Sequence, residues 1–337
     1  MASRIRIAID CMGGDFGLRV SIPAAIQARS QFPDLDITLV GDEQAIASAL
    51  GPQLGDFVIV HASDVISMAD KPSQALRRKP QSSMRLAIDL LASKKVDAVV
   101  SAGNTGALMA IGCLVLKTFD EVERPAICSA LPSQGGQCHL LDLGANVDSS
   151  AEHLQQFAIM GSALASVVDG IERPRVALLN IGEEDIKGNE QVQQADKLIQ
   201  QHSELNYVGY LEGDAIFSGR ADVIVADGFV GNVALKVCEG TASHISQVVR
   251  HYFGRSFSAR LLAFIASPVL KRIFQHLDPQ QYNGASFLGL QGIVVKSHGA
   301  STVPAYVNAI AQARLEVKDD LLSVISARLK QMNNKAS

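Results

Sequence analysis

Five times along this chain an apolar run of strand length ends in a cluster of Gly, Asn, Asp, Lys or His, at 101–106, 142–148, 180–189, 227–232 and 296–299. Segments of helical period separate the runs. Strands alternating with helices in this way lead to an α/β fold: a doubly wound, mostly parallel sheet in a three-layer α/β/α arrangement. In an open parallel sheet the carboxyl ends of the strands share one edge, so the five loops are expected to converge there on one crevice. Glycine lets backbone N–H groups come close to an anion, and Asn, Lys and His add side-chain donors. The pattern suits something small, oxygen-rich and negative.

Strands are expected at 5–9, 37–40, 57–61, 98–101, 127–131, 139–143, 176–181, 223–226 and 293–296. The clearer helices are expected at 82–93 with Ser82 or Ser83 as cap, and at 151–168, 190–201, 232–253 and 302–330. No repeat or linker divides the chain, which reads as one domain over 1–337 with a helical insertion at 240–285. Net charge is −4, and the chain has no Trp and five Tyr. That leaves neither a basic field nor stacking platforms for nucleic acid. The five cysteines are scattered without a C-x-x-C pair, the pattern of reduced core thiols rather than a metal site or disulfide framework. No secretory leader or apolar run of about 18 residues stands out, which fits a cytoplasmic protein.

The insertion carries no Asp or Glu from 240 to 277, yet it holds Arg250, Arg255, Arg260, Lys271 and Arg272. Phe257, Leu261, Leu262, Phe264 and Ile265 are interleaved with them, and Pro268 should divide the segment into two short helices. Basic charge beside apolar groups is the composition of a membrane-surface helix; a buried core or dimer-interface stripe has the same periodicity. A second basic run, with Lys71, Arg77, Arg78, Lys79 and Arg85, suits either an acidic partner or a solvated surface.

Each loop has a chemical and a purely structural reading. Gly13 and Gly14 lack the dinucleotide spacing but follow the first strand, where backbone amides can meet an anion; Asp10 and Asp15 suit loop orientation better than metal binding. Asn104 and Thr105 can donate to a phosphate or thioester oxygen, or form an N-cap and turn. Lys187, after three acidic residues, can stabilise a developing oxyanion, while Glu190 suits a helix start. Asn232 can present its amide, with Asp227 orienting a neighbour, and His298 is the histidine best placed for acid–base work. No G-x-S-x-G elbow or His-paired cysteine is present, so a bound small nucleophile fits better than a covalent enzyme intermediate.

Taken in order, Asp10-Cys-Met-Gly-Gly-Asp15, Ser101-Ala-Gly-Asn-Thr-Gly-Ala107, Asp142-Leu-Gly-Ala-Asn-Val-Asp148, Leu179-Asn-Ile-Gly182, Lys187-Gly-Asn-Glu190, Asp227-Gly-Phe-Val-Gly-Asn232, Tyr282-Asn-Gly-Ala285 and Lys296-Ser-His-Gly-Ala300 resemble the bacterial phosphate acyltransferase (PlsX) family over nearly the whole chain. One departure is Leu18, where the family usually has Pro. The resemblance implies reversible transfer of a fatty acyl group from acyl carrier protein to inorganic phosphate, with acyl phosphate passing to phospholipid synthesis. It implies a fold similar to phosphotransacetylases and isopropylmalate dehydrogenases, a homodimer, peripheral attachment to the cytoplasmic membrane through Leu261, Leu262 and Ile265, and a downstream glycerol-3-phosphate acyltransferase. It implies no cofactor or metal. Lys187 and Asn232 are carried over as catalytic, with His298 assisting. Gly13, Gly14, Asn104, Thr105, Asn146, Asn180 and Asp227 are expected around the phosphate. The competing readings are a phosphotransacetylase using acyl-coenzyme A, a metal- and NAD-dependent hydroxyacid dehydrogenase, and a membrane-associated scaffold.

Overall fold

The computed structural model describes residues 4–336. Among them eleven strands form one sheet: β1 (Ile5–Asp10), β2 (Leu35–Gly41), β3 (Val58–His61), β4 (Ala98–Ser101), β5 (Ala126–Ser133), β6 (Gly136–Leu141), β7 (Arg175–Asn180), β8 (Asn206–Glu212), β9 (Val223–Val225), β10 (Ala285–Leu288) and β11 (Ile293–Lys296). The helices are α1 (Leu18–Gln31), α2 (Glu43–Leu50), α3 (Pro72–Arg78), α4 (Ser83–Ala92), α5 (Thr105–Val115), α6 (Ala151–Val168), α7 (Glu190–Gln200), α8 (Gly228–Gly254), α9 (Phe257–Ile265), α10 (Ser267–Leu277), α11 (Val303–Lys318) and α12 (Leu321–Ala336).

The strand order is β3-β2-β1-β4-β11-β10-β5-β6-β9-β7-β8. Pairing is parallel from β3 to β11 and again from β6 to β8, but the three central pairings, β11/β10, β10/β5 and β5/β6, are antiparallel. Three reversals leave the two parallel halves running in opposite directions. The carboxyl ends therefore do not share one edge, which corrects the simplest reading of an open parallel sheet. One row of paired residues crosses every strand: Ile59, Leu39, Ile9, Val100, Val295, Ser286, Cys128, Leu141, Val225, Leu178 and Tyr210. Asp10, Ser101 and Lys296 stand one residue beyond that row in one direction; Asp142 and Ala226 stand one residue beyond it in the other. The loops thus approach the middle of the sheet from opposite sides, across β10 and β5.

Alternation along the strands divides the core. On one face Val99, Val294, Ile127, Leu140 and Ile224 pack with α4 and α5 in a cluster that also takes in Ala234 and Leu235 of α8. On the other face α1, α2 and α11 cover the first half, and α6, α7 and α12 cover the second. α6 matches its expected range because its first turn is fastened twice: Ser150 caps the His153 amide, and the His153 ring accepts from the Ser150 amide. The expected helix at 302–330 is two helices, divided at Asp319 and Asp320, where Asp320 takes φ +52°. β8 and β10 were not expected. The insertion holds two short helices, α9 and α10, and Pro268 falls in the first turn of α10, where its missing N–H breaks no helical bond.

Candidate active site

The first-half loops are held by one carboxylate. Asp10, fully buried, accepts from the hydroxyls of Ser83 and Ser101, each at 2.6 Å, and from the Met12 amide. Burial raises its pKa, and these donors partly oppose the rise. Gly13 turns its amide to the same carboxylate, and a Cβ there would stand 2.7 Å from the Gly103 nitrogen. Gly14, at φ +85°, lies against Ala102 and the Gly299 carbonyl, which accepts from the Asp15 amide at 2.9 Å. The loops after β1, β4 and β11 are therefore one packed unit, and Gly13 and Gly14 act in it as spacers.

Asp142 does the same work in the second half. It accepts from the backbone amides of Ile127, Ala145 and Asn146, while the Asn146 side chain bridges to the Pro125 carbonyl. The first turn of α8 then docks backbone to backbone: a Cβ on Gly228 would overlap the Asn146 carbonyl oxygen, and one on Gly231 the Asp142 carbonyl oxygen. This close approach carries Asn232, which lies 3.6 Å from a Cβ built on Gly144.

Between the two sets lies a cavity of about 1710 Å³. Ile127, Ser129 and Leu131 of β5 form part of its floor, with Ile245, Ala263 and Leu270 along its walls. Thr105, Asn232, Lys236, Lys296 and His298 supply polar groups. Lys296 is 8% exposed; its Nζ donates to the Ala102 carbonyl at 3.1 Å and to the Ser297 carbonyl, and no carboxylate among the described residues pairs with it. Burial pulls its pKa down to about 8 despite attraction from Asp10 and Asp15. Nδ1 of His298 accepts from the Ala300 amide at 3.1 Å, so the neutral ring carries its proton on Nε2. Desolvation lowers the His298 pKa more than any neighbouring charge changes it, which keeps the ring neutral near pH 7.

The structure sorts the expected site residues. Thr105, Asn232 and His298 line the cavity together. Asn104 does not offer its amide there: Oδ1 caps the Ala107 amide, and Nδ2 donates to the carbonyls of Met68 and Asp70 at 2.9 and 3.0 Å. Asn146 is a buried strut, and Asp227 caps α8 through the Val230 amide. Asn180 ends β7 and Lys187 stands on the loop after it, beside the strand that feeds α8, rather than on the cavity wall; Lys187 is exposed and has no salt-bridge partner among the described residues. Leu261, Leu262 and Ile265 are exposed on α9, and Glu190 opens α7. Lys236 and Lys296 were missed. Lys296 closes an apolar strand, and its position in the Lys-Ser-His-Gly cluster was the available signal. Cys238 also lines the cavity, but burial raises its pKa, so its thiol is a poor nucleophile.

Several comparisons bear on this site. The phosphotransacetylase from Streptococcus pyogenes superposes with a TM-score of 0.63 at 17% identity, covering 93% of this chain and 94% of that one. The EutD phosphotransacetylase from Staphylococcus aureus gives 0.61, also at 17% identity, with the same coverage. A putative 4-hydroxythreonine-4-phosphate dehydrogenase from Salmonella typhimurium gives 0.52 at 14% identity, covering 94% and 99%. At such identities the likeness is one of fold. In sequence, a protein of Pseudomonas fluorescens named phosphate acyltransferase is 52% identical over 97% of this chain and 98% of its own length. One of the same name from Nitrosococcus oceani is 50% identical over 96% of each chain. The profile of the family described as "Fatty acid synthesis protein" matches residues 5–323, and the chain belongs to that family.

Proposed function

We propose that the protein is an acyltransferase that moves a fatty acyl group from acyl carrier protein to inorganic phosphate, yielding acyl phosphate. The observation that carries this reading is the cavity itself, where neutral and cationic donors join an apolar trough larger than the roughly 300–1,000 Å³ typical of drug-sized ligands. An acyl chain suits the trough, and a phosphate suits the donors.

The reaction balances without an enzyme nucleophile. Hydrogen phosphate attacks the thioester carbon, the carbonyl oxygen takes the charge, and the C–S bond breaks as the phosphate proton passes to the departing sulfur. Asn232 and the Nε2–H of His298 are fixed donors for the oxyanion, and Thr105 at the start of α5 donates to phosphate. Lys187, on the loop beside α8, is proposed to supply positive charge to the same centre once substrate is bound. Asn104, Asn146, Asn180 and Asp227 support the loops that present these groups.

Homodimerisation, peripheral attachment through Leu261, Leu262 and Ile265, a location at the cytoplasmic face and delivery of product to a glycerol-3-phosphate acyltransferase complete the reading. Among the described residues no helix is long and apolar enough to cross a membrane. The test is mass-spectrometric detection of acyl phosphate from acyl carrier protein thioester plus phosphate, with Lys187→Ala and Asn232→Ala each expected to lower kcat by about 10²-fold or more. Equal or faster turnover with coenzyme A thioesters would assign the protein to phosphotransacetylase chemistry instead. Nicotinamide reduction would assign it to the dehydrogenases.

A further inference from the structure

Lys296 is a buried cation that forms no salt bridge with any carboxylate among the described residues. An ammonium removed from water is strongly disfavoured unless an opposite charge or a full set of acceptors compensates it. Two of its three N–H groups have acceptors, the carbonyls of Ala102 and Ser297. Those carbonyls aim the group but do not neutralise it. Asp10 and Asp15 face it from the β1 side, though Asp10 is already engaged by Ser83, Ser101 and the Met12 amide. From the α8 side it faces another cation, Lys236, whose ammonium is paired with Glu239 at 2.7 Å; Glu239 also faces His298 and lines the same cavity. Lys296 also lines the cavity, in the same wall as His298.

We propose that Lys296 holds the attacking phosphate, its third N–H donating to a phosphate oxygen while the Ala102 and Ser297 carbonyls fix the direction of the ammonium. The assignment rests on the acyl-transfer reading and names the anion subsite within it. Hydrogen phosphate then supplies the charge that the buried lysine lacks in the free protein. The lysine keeps its proton throughout, since the proton released on attack is the phosphate's own. In the free protein Lys296 titrates at about 8, so phosphate binding should weaken as pH rises past that value.

The experiment compares wild type with Lys296→Met, Lys296→Gln and Lys296→Arg at fixed acyl carrier protein thioester and varied phosphate. The neutral variants are expected to raise KM for phosphate at least tenfold and to leave KM for the thioester within twofold. The wild-type phosphate KM should climb above pH 8, the neutral variants should lack that limb, and Lys296→Arg should recover part of the affinity without it. In parallel, inorganic phosphate should raise the melting temperature of wild type but not of the neutral variants, whose own melting points should not fall. A phosphate KM within twofold of wild type in a folded neutral variant overturns the assignment. So does a lowered melting point with both KM values rising together, the mark of a purely structural strap. If wild type makes no acyl phosphate, the acyl-transfer reading fails, and the phosphate-dependent melting shift still decides whether Lys296 binds the anion.

Discussion

At the scale of single residues, the backbone decides what His298 can do. With Nδ1 accepting from Ala300, the ring offers a hydrogen to the cavity instead of accepting one, which suits the electrophilic donor proposed above and not a general base. His298→Ala is expected to lower kcat by about 10²-fold, while His298→Asn, which keeps a donor, retains more. Because the neutral ring is the working form and its pKa is lowered, the activity owed to this group should fall only on the acid side of the ordinary imidazole range, as a pH–kcat profile will read. Glu316 gives a stability counterpart. It is fully buried on α11, accepts from Ser286 and from Gln312, and burial raises its pKa from 4.5 to about 7. The native state therefore holds a proton that the unfolded chain releases, and stability is lost as pH rises from 4.5 through 7. Glu316→Gln should make the protein more stable than wild type above pH 7, by about 2 kcal/mol, with no gain below pH 4.5, measured by denaturant titration. This scale also shows why part of the site was illegible in sequence. An Asn or Asp that caps a helix after a strand, as Asn104 and Asp227 do, has the same residue type and spacing as one that grips an anion; only the bond to Ala107 or Val230 separates them. Lys296 was legible as a member of the 296–299 cluster, but its burial beside the cavity was not, because that depends on partners distant in sequence.

Among the elements, α8 has the least freedom at its start and the most along its length. Gly231→Ala, which would drive a methyl group into the Asp142 carbonyl, is expected to cost about 2–3 kcal/mol and to shift Asn232. Gly240→Ala, further along the same helix where a Cβ meets nothing within 4 Å, should instead stabilise by up to about 1 kcal/mol. Melting temperatures that moved alike for the two would contradict the docking of the first turn. Beyond it, α9 presents Leu261, Leu262 and Ile265 at 53, 58 and 69% exposure. Leu261→Glu should reduce co-sedimentation with anionic liposomes severalfold while leaving turnover of soluble substrate in place; unchanged co-sedimentation would rule out contact through this face. The division of the insertion into α9 and α10 was legible because proline has one acceptable place in a helix. The short strand β10 was not, since Ala285-Ser-Phe-Leu288 is too brief to show a period.

For the whole molecule, four of the five strand-end clusters bring a residue to the cavity (Thr105, Gly144, Asn232 and His298), but they carried no information on strand direction. Direction is set by the antiparallel pairs at β11/β10, β10/β5 and β5/β6, which are partnerships between distant segments. That reversal has a genetic meaning. The chain leaves the first half through β5 and returns through β10, and these two strands are hydrogen-bonded to each other, so residues 136–282 form a cassette nested inside a continuous frame. The frame holds Thr105 and Lys296, the groups assigned to phosphate, together with His298; the cassette holds Asn232 and much of the apolar wall. Exchanging the cassette between relatives that prefer different acyl lengths should transfer the length preference and leave the phosphate KM with the frame. Length preference that stayed with the frame would place that selectivity in β5 instead. A fold arranged this way lets one half of its recognition drift while the other half stays fixed.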